Sequence, residues 1–203
     1  MKFTSKYPLV LASQSPRRRE LLGMLGIPFE VTPSKQAEPD PKAFQTPLGY
    51  VMACAQQKAE EIARRQKDAL VIGADTIVVL DGHILLKPQD KQQAMSYLQR
   101  LSGQVHEVIT AVSVRQGASE LSFHERVKVR FYDLPASWID AYTDTEDPYD
   151  KAGAYGIQTL SGLFVEGIEG DYHAVVGLPV AKLLQQLTRA GYTQIEGAHD
   201  YAK

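Results

Sequence analysis

The sequence predicts an α/β protein with a mixed, twisted sheet flanked by helices, and three observations support this. Short apolar strands alternate with segments of helical period along the 203 residues. Two hairpin signals interrupt the alternation, so some neighbouring strands must be antiparallel. Hydrophobic residues make up 44% and charged residues 23% of the chain, which is typical of globular proteins and excludes a disordered or coiled-coil chain.

The first predicted unit is a strand, a tight turn and a helix. Residues 9–12 form a short apolar run that predicts a buried strand. Ser15 is a favourable N-cap and Pro16 suits the first helical position, so a helix should begin there and end at Gly26. Residues 29–32 are predicted as a second strand.

A proline-rich loop and the most apolar strand come next. Four prolines mark residues 33–47 as a loop, which precedes a helix over about 48–66. Residues 69–80 predict an extended segment whose first half is the most apolar of the chain. The Asp81-Gly82 pair is a strong signal for a type I′ turn, so residues 83–86 should return antiparallel.

The remaining elements follow the same two periodicities. They are a helix over 91–101 capped by Asp90, strands over 105–115 and 119–131, a helix of about ten residues from Pro135, a strand over 163–168 and a helix over 179–190. At roughly 100–200 residues per domain, the length predicts a single domain over residues 1–196, followed by a polar tail at 197–203.

The composition also bears on the compartment. No apolar run approaches the ~20 residues that cross a bilayer, and the first residues lack the apolar stretch of a secretory signal. The single cysteine, Cys54, excludes an intramolecular disulfide and fits a reducing compartment. We therefore expect a cytoplasmic protein without a membrane partner, in which Cys54 is a small buried hydrophobe rather than a nucleophile.

The charge is small overall but uneven along the chain. The net charge of −2 argues against generic nucleic-acid binding. Residues 1–67 carry 11 basic and 6 acidic side chains, whereas residues 68–203 carry 11 and 18. Such a distribution can place a positive cleft on an acidic body, which suits a small polyanion, although ordinary surface variation is the alternative.

The turn after the first strand carries the strongest signal for phosphate binding. Free N–H groups and the helix dipole attract phosphate to the start of the helix that follows Ser13 and Ser15. Arg17, Arg18 and Arg19 are unfavourable at that helix end unless an anion neutralises them. A solvated basic face is the alternative interpretation.

Three later positions could complete a site with that turn. Asp75 follows an apolar run near the C-terminal end of a buried strand, where ligands gather in α/β sheets, and its carboxylate could bind a divalent cation or accept a proton from water. Lys87 follows the hairpin and could return beside Asp75. The glycine-rich segment 150–158 contains Lys151 and Gln158, whose amide could read a base edge. A turn aspartate, a solvated lysine and a plain loop are the alternatives.

Several other chemistries lack their motifs. The five histidines show no metal-ligand spacing, and His106 in a predicted strand is interpreted as structural. Neither a P-loop nor a G-x-S-x-G motif occurs, which argues against P-loop ATPases and ordinary serine hydrolases.

The segment 11–22, Leu-Ala-Ser-Gln-Ser-Pro-Arg-Arg-Arg-Glu-Leu-Leu, resembles the opening signature of the Maf nucleotide pyrophosphatases. Six further blocks resemble that family in the same order, at residues 57–59, 73–78, 86–88, 101–106, 150–158 and 172–179. The resemblance implies two lobes around a cleft, in a fold related to the inosine-triphosphate pyrophosphatases. It also implies a homodimer.

The resemblance implies hydrolysis of a nucleoside triphosphate between the α and β phosphates, with Mg²⁺ or Mn²⁺ as cofactor. By position, Asp75 matches the general base of the family. The phosphate-facing polar and basic residues match at Ser13, Arg17, Arg18, Lys58, Lys87 and Lys151. Substrate choice follows Arg17, Thr76 and Gln158, and the Asp-Thr pair at 75–76 is similar to the subgroup that acts on dTTP and UTP.

One stretch departs from the family pattern. Many members carry an Asp-Glu pair where residues 34–38 read Ser-Lys-Gln-Ala-Glu, so Glu38 could keep the acidic role while the metal ligands stay unassigned. Two alternatives to a dTTP/UTP enzyme remain: a pyrophosphatase for 7-methyl-GTP or another purine, and a non-catalytic nucleotide- or nucleic-acid-binding regulator of cell division. Asp75 beside a full basic set favours turnover.

Overall fold

The computed structural model describes residues 2–196, which contain nine strands and six α-helices. The strands are β1 (Phe3–Ser5), β2 (Leu9–Leu11), β3 (Phe29–Val31), β4 (Leu70–Leu80), β5 (His83–Leu85), β6 (Val105–Gln116), β7 (Ser119–Phe131), β8 (Val165–Glu169) and β9 (Thr193–Ile195). The helices are α1 (Pro16–Gly23), α2 (Pro47–Ala63), α3 (Lys91–Leu101), α4 (Ala136–Thr143), α5 (Tyr172–Val176) and α6 (Val180–Arg189).

Seven strands form one mixed sheet, which confirms the predicted fold class. Their order is β3-β2-β4-β6-β7-β8, with β5 also paired to β4. Strand β2 runs parallel to β3 and β4, whereas the other pairings are antiparallel. The predicted turn is confirmed as well, since Asp81 and Gly82 both have the positive φ that a type I′ turn requires.

Strand β4 changes its partner half-way along its length. It pairs with β2 only through Leu70–Ile72 and with β5 only through Val78–Leu80. Within the described chain, no strand pairs with this edge of β4 at residues 73–77, and Asp75 lies in this gap. Asp75 was predicted near the end of a strand, but β4 continues past it because β6 supports the other edge without interruption.

Helix α2 covers one face of the sheet at unusually close range. A Cβ atom on Gly73 would lie 2.5 Å from the carbonyl oxygen of Ala55 and 2.6 Å from the nitrogen of Ala59, so only glycine admits the helix backbone there. The close packing brings α2 directly over the middle of β4. Lys58 of α2 therefore lies within reach of Asp75.

The opposite face of the sheet carries two separate hydrophobic clusters. Helices α1 and α6 pack on the first half of β4, around Ile72 and Ala74. Helices α3 and α4 pack on the second half, around Val78 and Leu80. Thr76 lies between the two clusters, where α1 and α5 approach the sheet.

Some boundaries differ from the predictions. Helix α1 ends at Gly23, and Gly26 lies beyond it with a positive φ of 66°. Strand β8 begins at Val165 because a 3₁₀ turn occupies Leu160–Phe164. The short elements β1, β9 and α5 carry too few residues for a periodic signal. The predicted polar tail, 197–203, lies outside the described residues, and none of the described helices is long and apolar enough to cross a membrane.

Candidate active site

A cavity of about 310 Å³ opens at the unpaired edge of β4. Because successive side chains of a strand point to opposite faces, an open edge gives the cavity access to both Asp75 and Thr76. Five cationic side chains line it against three carboxylates: Arg17, Arg18, Lys58, Lys87 and Lys151 against Glu38, Asp75 and Asp150. The excess of positive charge favours a polyanionic ligand.

Asp75 and Glu38 both form salt bridges with the amine of Lys58. The Lys58 Nζ atom lies 2.6 Å from Asp75 Oδ1 and 2.7 Å from Glu38 Oε1. Burial alone would lower the pKa of Lys58, but the charges of Asp75 and Glu38 outweigh it and raise that pKa. Burial likewise opposes ionisation of Glu38, but Lys58 lowers the pKa of this carboxyl below its ordinary value. The lysine and the glutamate are therefore both charged at neutral pH.

The loop that carries Glu38 is fastened to α2. Glu61 Oε2 accepts hydrogen bonds from the Ser34 hydroxyl at 2.5 Å and from the backbone nitrogens of Lys35 and Gln36 at 2.9 and 3.1 Å. Gln57 Nε2 donates to the carbonyl oxygen of residue 37 at 2.8 Å. Glu61 was not predicted, and Gln57 was named only within the family block 57–59, without a role. Their spacing of four, with Lys58 beside them on one helix, is the signal that could have identified them.

Arg18 is held on both sides of its guanidinium group. Its Nε donates to the carbonyl oxygen of Gly177 at 2.9 Å, and its Nη2 donates to Thr76 Oγ1 at 3.0 Å. Burial lowers the pKa of Arg18, but a guanidinium group stays protonated in proteins. Ser13 lies behind this arginine, buried and outside the cavity wall, with its Oγ 3.4 Å from Arg18 Nη1.

The α1 side of the cavity and the segment after α4 meet through Asp150. Its carboxylate lies 2.9 Å from Arg17 Nη1 and 2.6 Å from Lys151 Nζ. Lys151 is buried and also lies 3.0 Å from Asp147 Oδ1. Asp147 was not predicted; the hydroxyls of Tyr142 and Thr159 both donate to its second oxygen, which fixes the carboxylate beside the lysine.

Lys87 and Gln158 are the exposed members of the predicted set. Both line the cavity, and the positive charge of Lys87 contributes to the lowered pKa of Glu38. The backbone nitrogen of Gly153 donates to the carbonyl oxygen of Leu86 at 3.2 Å, which ties the glycine-rich segment to the end of the hairpin. All predicted site residues except Ser13 therefore lie around one cavity.

Cys54 and His106 lie away from the cavity wall and are both buried. Burial raises the pKa of the Cys54 thiol to about 12, so the nucleophilic thiolate is scarce at neutral pH. Burial also lowers the pKa of His106 to about 4, which leaves the ring neutral while its Nε2 lies 2.7 Å from the hydroxyl of Tyr155. These environments are those of structural side chains.

The two carboxylate groups that contact Lys58 suit part of a magnesium site. Within residues 2–196, no group of three or more histidine, cysteine, aspartate or glutamate side chains converges on one point. Mg²⁺ in nucleotide sites commonly uses one or two carboxylates together with phosphate oxygens and water. The carboxylates of Asp75 and Glu38, which share one amine, meet that requirement.

Comparisons with known proteins agree on one family. The family model described as "Maf-like protein" matches residues 8–190. A protein of Bacillus cytotoxicus named dTTP/UTP pyrophosphatase is 47% identical over 178 residues, which are 88% of this chain and 93% of that protein. A protein of Bacillus anthracis with the same name is 45% identical over 179 residues, again 88% and 93% of the two chains.

One solved structure supports the fold independently. The Ham1 protein of Staphylococcus aureus superposes with a TM-score of 0.52, covering 91% of this chain and 99% of that one. The sequence identity is 14%, so this likeness concerns the fold alone. The predicted relation to the inosine-triphosphate pyrophosphatase type of fold is thereby confirmed.

Proposed function

The chain belongs to the Maf family, and from this premise we propose that it hydrolyses nucleoside triphosphates to the monophosphate and pyrophosphate, with dTTP and UTP as preferred substrates. One observation carries the proposal: a nearly buried carboxylate, Asp75, faces a cavity lined by five cationic side chains. This combination suits attack by water on a polyanion, which is the chemistry of a hydrolase acting on acid anhydrides.

The cationic side chains bind the triphosphate in this proposal. A triphosphate carries about four negative charges, which repel an attacking hydroxide and must be neutralised. Arg18 is already oriented by Gly177 and Thr76, so it binds without reorganisation. Arg17 and Lys151 both contact the half-exposed carboxylate of Asp150 in the absence of substrate. When the triphosphate binds, its phosphate oxygens replace that carboxylate as the anionic partner of both side chains.

Asp75 acts as the general base. Its Oδ1 accepts a hydrogen bond from Lys58, whereas no hydrogen bond from the described residues reaches Oδ2. Oδ2 orients a water in line with the α-phosphorus and takes its proton. The new P–O bond forms as the bond from the α-phosphorus to the bridging oxygen breaks, and the electron pair leaves with pyrophosphate.

A divalent cation, Mg²⁺ or Mn²⁺, would be held by Asp75 and Glu38 together with phosphate oxygens. When bound, it supplies neutralisation of the phosphate charge and acidification of a bound water. Lys58 keeps the two carboxylates side by side, and Glu61 holds the loop that presents Glu38.

Selectivity for the base is assigned to Arg17, Thr76 and Gln158, which all line the cavity. The exposed amide of Gln158 both donates and accepts hydrogen bonds, so it can read the edge of a base. The homodimer and the two lobes stay predictions that rest on the family resemblance. The cytoplasmic location stays a prediction that rests on the single cysteine, and the single domain over residues 1–196 stays one that rests on the length.

Release of pyrophosphate from a panel of triphosphates tests the proposed substrate class. We expect the highest kcat/KM for dTTP and UTP among dTTP, UTP, dCTP, GTP and 7-methyl-GTP, with Mg²⁺ or Mn²⁺ present. Preference for 7-methyl-GTP would contradict the assigned base selectivity but keep the reaction. Absence of turnover in a folded, metal-supplied sample, with DNA or RNA binding that weakens steeply with salt, would favour the regulator instead.

A further inference from the structure

Thr110 is a completely buried threonine directly behind the cavity. It lies on β6 opposite Thr76 of β4, and the two hydroxyl oxygens are 2.9 Å apart. Thr110 itself does not line the cavity, whereas Thr76 does. A buried hydroxyl needs hydrogen-bond partners, so the partners of Thr110 decide how Thr76 can present its own hydroxyl.

The two outer partners, a carbonyl oxygen that can only accept and a guanidinium group that can only donate, fix the direction of each hydrogen bond between them. Thr110 Oγ1 lies 2.6 Å from the carbonyl oxygen of Ala174, which can only accept, so the single proton of Thr110 points there. Thr76 must therefore donate its own proton to Thr110. At the other end, Arg18 Nη2 can only donate, and it does so to Thr76 at 3.0 Å. Thr76 is left with one free lone pair and no free proton.

The same residues close a ring through α5. Ala174 and Gly177, three residues apart, offer their carbonyl oxygens to Thr110 and to Arg18 Nε at 2.6 and 2.9 Å. Hydrogen bonds thus connect Arg18 to Thr76 and Thr76 to Thr110. The two outer members of this series, Arg18 and Thr110, each bind a carbonyl oxygen at the end of α5. Loss of the Thr110 hydroxyl opens this ring and leaves the Thr76 proton free to rotate.

We propose that Thr110 is a positioning residue that makes Thr76 a pure hydrogen-bond acceptor toward the cavity, and so selects bases with a donor at the ring position that faces it. The proposal rests on the proposed function, in which Thr76 belongs to the base-selective set. In this proposal N3 of the pyrimidine faces Thr76, where uracil and thymine carry an N3–H donor and cytosine carries an acceptor nitrogen. Two facing acceptors cannot pair, so cytosine is rejected.

Thr110→Val removes the hydroxyl and keeps the shape of the side chain. The ratio of kcat/KM for dUTP to that for dCTP is the measured quantity, because these two nucleotides differ only at the edge of the base. We expect the ratio to fall by about tenfold, the equivalent of one neutral hydrogen bond. Thr110→Ala should give the same fall, and Thr110→Ser, which keeps the hydroxyl, should stay close to wild type.

This ratio separates positioning from simple destabilisation, since a smaller folded fraction lowers both rates equally. Thr193→Val is the matched control: Thr193 is buried on β9 and pairs with the Thr188 hydroxyl at 3.0 Å, away from the cavity. Its ratio should equal that of wild type. An unchanged ratio in folded Thr110→Val, or an equal change in Thr193→Val, would overturn the proposal.

Failure of the proposed function is recognised separately. A wild-type protein that hydrolyses no triphosphate contradicts the proposed function but still permits the test of Thr110. In that case the ratio of the dissociation constants of dCMP and dUMP replaces the kinetic ratio. The same tenfold fall in Thr110→Val supports the proposal, and an unchanged ratio contradicts it.

Discussion

Asp75→Asn is expected to lower kcat for pyrophosphate release by roughly 10²–10⁴-fold, the usual loss when a general base is removed. Asparagine has nearly the same shape but cannot take a proton from water. Lys58 keeps its contact to Glu38 at 2.7 Å, so its charge stays paired in the variant. We therefore expect an intact fold with the chemistry lost.

The control for this variant is Asp140→Asn. Asp140 is an exposed residue of α4 that pairs with Lys91 at 2.8 Å, outside the cavity wall. The same chemical change there should leave kcat near wild type. Thermal unfolding of both variants verifies that they are folded, and near-wild-type turnover by folded Asp75→Asn would remove Asp75 from the role of base.

Arg18→Lys is expected to lower kcat/KM by about 100-fold, comparable with the loss of one preorganised donor in a catalytic site. Lysine keeps the positive charge but has a single nitrogen. It cannot bind Gly177 and Thr76 with two separate nitrogens, as the guanidinium group does at 2.9 and 3.0 Å. The effect therefore measures geometry and not charge.

Arg19→Lys provides the matched control, because Arg19 is the next residue of α1 and is exposed. Steady-state kinetics with dTTP should give wild-type values for this variant. A kcat/KM of folded Arg18→Lys equal to that of wild type and of Arg19→Lys would indicate that only the positive charge of the helix matters, since lysine keeps that charge. The assignment of Arg18 as an oriented phosphate ligand would then be wrong.

Local patterns were sufficient for most of the sheet. The long strands β4, β6 and β7 follow from apolar runs, alternation and the Asp81-Gly82 turn, all of which act between near neighbours in sequence. The ribbon of β1 and β9 escaped prediction because each strand has three residues and its partner lies at the other end of the chain. Its pairing depends on tertiary contacts that no local pattern encodes.

The residues of the candidate site likewise fall into those that stand out locally in the sequence and those that depend on tertiary contacts. Arg18 and Asp75 stand out locally, the first because arginine opposes the helix dipole and the second because a carboxylate follows an apolar run. Asp147, Glu61 and Thr110 escaped prediction, since each acts through another side chain. A threonine in an alternating strand is ordinary, and the meaning of Thr110 depends on the register that places it opposite Thr76.

Hydrolysis of dTTP in ¹⁸O-labelled water tests the central claim most directly, because it locates the atom that water attacks. A base at Asp75 that directs water to the α-phosphorus predicts that the label enters dTMP and that pyrophosphate leaves unlabelled. Label in pyrophosphate, or release of inorganic phosphate as the first product, would place the attack on another phosphorus and contradict the account.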